Sequence, residues 1–176
     1  MKILVVVDMQ NDFIDGVLGT PEAQAIVPKV AEKVREQADK DAPILYTKDT
    51  HFAHNYMNSQ EGQKLPVLHC VYGTKGHQLH PDIHIRGSYY VDKPTFGLLD
   101  IGEVLDSIAA DRMENIDEIE LVGLCTDICV ISNAMILKAY YPEVPITVDS
   151  SCCAGVTPES HENALNAMKM CQIEVI

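Results

Sequence analysis

The sequence predicts an α/β protein in which helices cover both faces of a doubly wound, six-stranded parallel sheet with strand order 3-2-1-4-5-6. Short runs rich in β-branched residues alternate with longer helical patterns, which is typical of parallel strands joined by crossover helices. The chain has 176 residues, of which 47% are hydrophobic, and no repeat or linker divides it. We therefore expect a single domain over residues 1–176.

The predicted elements follow one another in order along the chain. Six β-branched or apolar runs indicate strands: 3–7, 43–47, 89–91, 118–123, 145–149 and 173–176. Four longer patterns with helical spacing lie between them: 22–40, 102–111, 127–141 and 158–170. The last of these has Pro158 where a first-turn proline belongs, with Thr157 before it as the N-cap.

Composition restricts the classes of partner. The apolar run before Asp8 is too short for a signal sequence or a membrane span, so we expect a soluble, cytoplasmic protein. Six cysteines without a secretion signal indicate reduced thiols rather than a disulfide framework. A formal net charge of −13 should repel nucleic acid and anionic membranes, which leaves a small molecule as the expected ligand.

Residues with chemically useful side chains directly follow the predicted strands. Asp8 comes after the first strand, Asp49 and His51 after the second, Lys93 after the third, and the segment 125–129 after the fourth. Because the carboxyl ends of parallel strands lie at one edge of a sheet, these side chains should share one rim. In the expected strand order the first and fourth strands are neighbours, so Asp8 and the segment 125–129 flank the point where ligands bind.

Two cysteines in LVGLCTDICV lie on either side of a predicted helix start. The helix should begin near Thr126 or Asp127, which places Cys125 in the preceding turn and Cys129 in the first helical turn. A thiol at a helix N-terminus feels partial positive charge, which lowers its pKa, and the free N–H groups there can stabilise an oxyanion. The pattern favours Cys129 as a nucleophile, and a small buried cysteine is the alternative.

Asp8 and Lys93 are candidate partners for such a thiol. A sulfur that attacks an amide needs a group that takes its proton and returns it to the leaving amine. Asp8 follows an apolar strand, so partial desolvation should raise its pKa, while the cation Lys93 would favour the ionised carboxylate. Each residue also has a structural explanation, since aspartates end many strands and lysines usually point into water.

The segment 49–88 is a long polar stretch that contains six of the seven histidines: His51, His54, His69, His77, His80 and His84. A long irregular excursion inside a compact domain is usually functional or disordered, and the histidines favour function. For His77, His80, His84 and His161 we expect hydrogen bonds within a loop rather than metal binding.

Five motifs occur in one order along the chain: VVDMQNDF at 6–13, YTKDTH at 46–51, LHCVYGTKG at 68–76, VDKPTFG at 91–97 and LVGLCTDICV at 121–130. In this order and spacing they resemble the isochorismatase-like cysteine hydrolases, most closely the nicotinamidases. The resemblance covers nearly the whole chain and implies the same six-stranded, doubly wound fold.

The resemblance implies a catalytic triad of Asp8, Lys93 and Cys129. It also implies a cis peptide bond between Leu124 and Cys125, with the N–H groups of Cys125 and Cys129 directed at the oxyanion. The expected substrate-binding residues are Phe13, Leu124, Tyr90 and Phe96.

The same resemblance implies one divalent metal ion held by Asp49, His51 and His69. An Asp-x-His pair with a distant histidine suits zinc, iron(II) or manganese, and we expect zinc. The fourth ligand departs from the better-known pattern of the family: Glu61 is favoured, and His54 is the alternative.

These residues predict an amidohydrolase of nicotinamidase type, which converts nicotinamide to nicotinate and ammonia through a cysteine thioester. The metal is expected to hold the pyridine nitrogen rather than to activate the carbonyl, because the oxyanion donors already serve that oxygen. Two alternatives stay open: a hydrolase of the same fold acting on a carbamoyl or ureido compound, and a non-catalytic small-molecule binding protein. Relatives commonly form homo-oligomers, so we expect one here.

Overall fold

The computed structural model describes residues 1–176 and contains one six-stranded sheet. Its strands are β1 (Lys2–Val7), β2 (Ile44–Asp49), β3 (Tyr89–Lys93), β4 (Glu118–Leu124), β5 (Ile146–Ala154) and β6 (Glu174–Val175). The strand order is β3-β2-β1-β4-β5-β6, and every pairing is parallel. The predicted fold class and strand order are confirmed.

Six α-helices connect the strands: α1 (Asn11–Ile14), α2 (Pro21–Asp39), α3 (Gln60–Lys64), α4 (Ile101–Arg112), α5 (Ile131–Tyr140) and α6 (Pro158–Met170). A 3-10 turn at Tyr56–Asn58 precedes α3, and a π-helical turn at Thr126–Val130 leads into α5. The α6 helix has the predicted bounds because the Thr157 side chain caps it by accepting a hydrogen bond from the Ser160 N–H. None of the helices combines the length and apolar character needed to cross a bilayer.

The central strand β1 divides the core into two layers, because successive side chains of a strand point to opposite faces. Ile3, Val5 and Val7 pack in one cluster with buried residues of α4, α5 and α6. Leu4 and Val6 pack in a second cluster with buried residues of α2. Helices therefore cover both faces of the sheet, as the sequence predicts.

The strands β1 and β4 approach each other closely where they reach the rim. Gly123 has a φ of +119°, and a Cβ atom on it would lie 2.1 Å from the carbonyl oxygen of Val7. Only a glycine fits this position, because any side chain would collide with the neighbouring backbone. Asp8 follows Val7 directly, so the close approach lies next to the side chain expected to act in catalysis.

Three strands extend at least two residues further toward the rim than predicted, and the first of them, β2, continues to Asp49. β3 continues to Lys93, which pairs with Asp49 at the end of β2. β5 continues to Ala154. The register of its pairing with β4 shifts between Leu121 and Gly123 of β4. These extensions bring the ends of four neighbouring strands to one side of the molecule.

The excursion between β2 and β3 is largely irregular, as predicted. Its two arms lie side by side, because the His51 N–H donates to the Cys70 carbonyl at 3.0 Å and the Tyr72 N–H to the His51 carbonyl at 2.8 Å. Buried Tyr56 fixes the tip of the excursion by donating its hydroxyl to the Leu65 carbonyl at 2.8 Å. The excursion thereby covers the rim beside the end of β2.

Candidate active site

The structure brings Asp8, Lys93 and Cys129 together at the rim. The Lys93 Nζ lies 2.7 Å from the Asp8 Oδ2 and 3.4 Å from the Cys129 Sγ. Asp8 and Lys93 are fully buried, and Cys129 is buried as well. The Thr47 hydroxyl donates to the Asp8 Oδ1 at 2.7 Å, and the Lys93 Nζ donates to the Thr95 carbonyl at 3.1 Å. Both members of the ion pair are therefore held by further hydrogen bonds.

Burial and charge oppose each other in this ion pair. Burial raises the pKa of Asp8, and the Lys93 ammonium offsets only part of that shift. Burial lowers the pKa of Lys93, but the charges of Asp8, Cys129 and Asp49 outweigh burial and raise it. The site thus combines a permanently charged ammonium with a carboxyl group of increased proton affinity, which suits Asp8 to accept and return a proton.

The Cys129 thiol holds its proton in this site. Burial and the Asp8 carboxylate raise the pKa of Cys129 well above its ordinary value, and Lys93 opposes them only in part. The expectation that the helix N-terminus would lower this pKa is wrong for the free protein, because the sulfur lies buried beside a negative charge. Cys129 therefore needs a base before it can act as a nucleophile.

The turn before Cys129 contains a cis peptide bond between Leu124 and Cys125. Cys125 is the N-cap residue, and its carbonyl accepts hydrogen bonds from the N–H groups of Ile128 and Val130, each at 3.1 Å. Cys125 thus lies outside the helix and Cys129 within its first turn, as predicted. The Cys125 N–H donates to no other group of the protein, so it is free to bind a ligand oxygen.

Four side chains converge beside the triad: Asp49, His51, Glu61 and His69, whose ligand atoms all lie within 4.8 Å of one another. The His51 Nε2 is 2.9 Å from the Asp49 Oδ2 and 3.5 Å from the Glu61 Oε1. The His69 Nε2 is 3.4 Å from the same Asp49 oxygen and 3.6 Å from the same Glu61 oxygen. The His51 Nε2 is buried and, despite these distances, has no well-aligned hydrogen bond. Two imidazoles and two carboxylates with an unsatisfied buried nitrogen fit a divalent metal ion.

The cluster is electrostatically prepared for a cation. Burial lowers the pKa of His51, but the carboxylates of Asp49 and Glu61 outweigh burial and raise it to about 9. Burial raises the pKa of Asp49, but His51, His69 and Lys93 outweigh burial and lower it below the usual range. A proton therefore occupies the place on His51 that a metal ion would take.

The predicted alternative ligand His54 is exposed and lies outside this cluster, whereas Glu61 is part of it. The structure thus favours Glu61 as the fourth ligand. Three of the remaining histidines form hydrogen bonds outside this cluster: His77 with the Thr50 hydroxyl at 2.8 Å, His80 with the Asp82 N–H at 3.3 Å, and His161 with the Thr126 hydroxyl at 2.8 Å. His161 lies in α6 rather than in a loop, and its bond joins that helix to the π-helical turn.

A cavity of about 600 Å³ opens between the triad and the metal cluster. Three of the four predicted substrate-binding residues line it: Phe13, Leu124 and Phe96. Its apolar wall also includes residues that sequence analysis did not single out, because nothing in their local pattern marks a cavity: Leu18, Ala23, Leu65, Ile128 and Val156.

The assignment of Tyr90 to the substrate pocket is wrong. Its ring stacks on Tyr46 with 5.4 Å between ring centroids, and its hydroxyl donates to the Ile85 carbonyl at 3.0 Å. Side chains alternate along β3, so Tyr90 lies on the face opposite to Lys93. It therefore points away from the rim residues and packs beneath the excursion.

Sequence analysis also missed Gln10 as a supporting residue. Its fully buried side chain accepts from the Asp49 N–H at 2.8 Å and donates to the Asp49 carbonyl at 2.9 Å and the His77 carbonyl at 3.0 Å. These bonds join the segment after β1 to the end of β2. An amide residue within the motif VVDMQNDF was the available signal, but its partners lie far away in the sequence.

Comparison with known proteins decides the family. A family model of the isochorismatase domain matches residues 2–176. The chain belongs to the isochorismatase domain family. It is 27% identical to the nicotinamidase/pyrazinamidase of Mycobacterium tuberculosis over 187 residues, which cover 100% of this chain and 98% of that protein.

Solved structures agree with this family. The pyrazinamidase of Pyrococcus horikoshii in complex with zinc aligns with a TM-score of 0.82 and 26% identity, covering 99% of this chain and 98% of that one. The N-carbamoylsarcosine amidase from Thermoplasma acidophilum aligns with a TM-score of 0.77 and 27% identity, covering 99% and 94%. The resemblance carried by the five motifs is confirmed, and the chain is a hydrolase of the isochorismatase family. The zinc complex of the neighbour and the cluster of four ligands support a divalent metal site.

Proposed function

We propose that this isochorismatase-family protein is an amidohydrolase that cleaves nicotinamide to nicotinate and ammonia through a thioester on Cys129. The observation that carries the proposal is the buried chain of contacts from Asp8 through Lys93 to the Cys129 sulfur, at 2.7 Å and 3.4 Å. This arrangement supplies a nucleophile, a base and a fixed positive charge beside one cavity. The relatives named nicotinamidase and pyrazinamidase support a small aromatic amide as the substrate.

In the first half of the reaction, Asp8 accepts the thiol proton while the Cys129 sulfur forms a bond to the carboxamide carbon. The carbonyl oxygen gains the negative charge, and the N–H groups of Cys125 and Cys129 donate to it. Asp8 then returns the proton to the amide nitrogen as the C–N bond breaks. Ammonia leaves, and the acyl group stays on the sulfur as a thioester.

In the second half, a water molecule attacks the thioester carbon and Asp8 takes its proton. The C–S bond breaks, Asp8 returns its proton to the Cys129 sulfur, and the carboxylic acid product leaves and releases its own proton to solvent as the carboxylate forms. Lys93 keeps its charge throughout, because the surrounding negative groups raise its pKa. Its ammonium stabilises whichever of Asp8 and the sulfur is negative at each stage.

Asp49, His51, Glu61 and His69 would hold one divalent ion, for which we propose zinc. When bound, this ion supplies a coordination position for the ring nitrogen of the substrate and thereby orients the carboxamide. The protein's own contribution to orientation is the apolar wall that includes Phe13, whose ring centroid lies 5.5 Å from that of His69.

The test is an ammonia-release assay with nicotinamide, benzamide and a ureido compound, each with and without a chelator. Nicotinamide should be the fastest substrate, and the chelator should slow nicotinamide more than benzamide, which lacks the ring nitrogen. Equal rates for nicotinamide and benzamide would contradict the proposed orientation. Cys129→Ala should lower the rate by at least about 1,000-fold, whereas Cys171→Ala, at an exposed cysteine, should not change it.

Hydrolysis of another small amide is the second candidate. It is favoured by the alignment with N-carbamoylsarcosine amidase at 27% identity and by a cavity of about 600 Å³. That volume falls in the range of about 300–1,000 Å³ that accommodates ligands larger than a single ring with one carboxamide. Cleavage of the ureido compound alone would favour this candidate over nicotinamide.

A further inference from the structure

Asn133 lies one helical turn after Cys129 and is fully buried. Its Nδ2 donates to the Cys129 carbonyl at 2.8 Å and to the Phe96 carbonyl at 3.2 Å, and its Oδ1 accepts from the Leu98 N–H at 2.9 Å. The donors and the acceptor of this amide are thus all used within the protein. The side chain connects the helix that carries the nucleophile to the segment 94–98, which follows Lys93.

The segment 94–98 packs directly on this helix. A Cβ atom at Gly97 would lie 2.6 Å from the Ile136 Cδ1 and 3.1 Å from the Ser132 Cβ, so the segment cannot come closer. Pro94, Thr95 and Phe96 line the cavity beside Cys129. The contact between the segment 94–98 and α5 thus combines close packing with the hydrogen bonds of the Asn133 side chain.

The same segment holds the lysine of the triad in place. The Lys93 Nζ donates hydrogen bonds to the Thr95 carbonyl and the Cys129 Sγ, and it forms ion pairs with the Asp8 Oδ2 at 2.7 Å and the Asp49 Oδ1 at 3.7 Å. An ammonium has three donor hydrogens, so the position of the Thr95 carbonyl restricts how the remaining donors point toward Asp8 and the sulfur. Asn133 binds the residue directly after Thr95 and also the backbone of Cys129 itself.

We propose that Asn133 is a positioning residue, which sets the distance between the Lys93 ammonium and the Cys129 sulfur by bonding the two backbone segments that carry them. It does not line the cavity, so it acts through these residues rather than on the substrate. The inference rests on the proposed function for its kinetic readout. A displacement of about 1 Å between reacting groups can cost about 100-fold in rate, so the effect should appear in kcat.

The kinetic test compares Asn133→Ala with Gln37→Ala, a matched control. Gln37 is also a buried amide that donates to a backbone carbonyl, that of Lys2 at 3.1 Å, but β1 begins at Lys2 and thus at the far end from the rim. Both variants should lose thermal stability. Asn133→Ala should lower kcat on nicotinamide by about 10- to 100-fold with KM changed less than about threefold, whereas Gln37→Ala should keep kcat. An unchanged kcat, or a rise in KM alone, would overturn the assignment.

A second variant, Asn133→Ser, and a second measurement, alkylation of Cys129, test the same inference independently. Asn133→Ser retains a hydroxyl that can donate to the Cys129 carbonyl four residues earlier but cannot bridge to the segment 94–98, so its kcat should also fall. It replaces Asn133→Ala if that variant does not fold.

Alkylation by iodoacetamide, mapped by mass spectrometry, needs no substrate and therefore separates this inference from the proposed function. Cys129 should react about tenfold more slowly in the variants relative to exposed Cys171, because the sulfur loses its ammonium partner. An unchanged or faster ratio would contradict the inference.

Discussion

At the scale of single residues, the site depends on where one proton lies. The Cys129 thiol is buried beside Asp8, which raises the pKa of the thiol, and burial also raises the pKa of Asp8. A nucleophile of this kind is activated during the reaction rather than stored as a thiolate. The proposed chemistry therefore depends on the carboxylate more than on the helix N-terminus.

Asp8→Asn tests this dependence. The amide keeps the size of the side chain but cannot take the thiol proton, so kcat for ammonia release should fall by about 100- to 10,000-fold. Asp15→Asn, at an exposed aspartate on the same segment, is the control and should keep the wild-type rate. A rate for Asp8→Asn within threefold of wild type would show that another group accepts the proton.

The candidate metal ligands can be tested one at a time by metal analysis. His51→Ala and Glu61→Ala each remove a member of the converging cluster and should greatly reduce the bound metal, whereas exposed His54→Ala should keep a full equivalent. Retention of metal by Glu61→Ala together with loss in His54→Ala would reverse the choice of the fourth ligand.

Metal binding should also depend on pH. His51 has a pKa of about 9 in the free protein, and a metal ion binds only the neutral imidazole. Affinity should therefore fall as the pH drops below about 9, because a proton must be displaced. Calorimetric titration with zinc at pH 7, in buffers of different ionisation enthalpy, should report release of about one proton. No proton release at pH 7 would contradict the shifted pKa.

At the scale of elements, the sequence pattern predicts the ends of a helix or strand correctly where residues close in sequence determine them. The α6 helix has its predicted bounds because Thr157, Pro158 and Ser160 fix its start locally. The ends of β2, β3 and β5 were missed because pairing with adjacent strands extends them into polar residues. These same extensions carry Lys93 to the rim.

Two glycine-to-alanine variants test whether the close approach of β1 and β4 requires the glycine at position 123. Gly123→Ala places a methyl group against the Val7 carbonyl and also requires a positive φ, so we expect a loss of about 3 kcal/mol or more in the free energy of unfolding. Gly87→Ala has a φ of +90° but nothing within 4 Å, so it should cost only about 1 kcal/mol. Urea denaturation measures both values. Equal losses would mean that backbone conformation alone makes glycine necessary.

At the scale of the whole molecule, the sequence predicted which residues share a rim but not what supports them. The rim follows from the topology, since strand ends in a parallel sheet lie together. Gln10 and Asn133 could not be found in this way. The partners of Gln10 are 39 and 67 residues away, and two of the three partners of Asn133 are 35 and 37 residues away. The homo-oligomer and the absence of nucleic-acid and membrane partners stay predictions.

The net charge of −13 gives importance to the partly buried lysines that form ion pairs with buried carboxylates. Lys33 on α2 bonds both Glu120 on β4 and Asp149 on β5, and its Nζ lies 2.7 Å from the Asp149 Oδ2. Lys2 on β1 adds a further contact to Glu120 at 2.6 Å. One network of charges thus joins three adjacent strands to the helix that covers them.

Asp149→Asn tests what this network contributes. Burial raises the pKa of Asp149, but hydrogen bonds from Lys33 and Ser151 outweigh burial and lower it below its ordinary value. A folded-state pKa below the unfolded value means that the stabilisation is present above about pH 4 and is lost as the pH falls further. The variant should therefore be less stable than wild type by about 1–3 kcal/mol at pH 7, and the difference should shrink below pH 4.

Urea denaturation across this range, with exposed Asp111→Asn as a control for the same change in net charge, separates the local ion pair from general charge repulsion. If both variants change stability equally, the network contributes nothing beyond net charge.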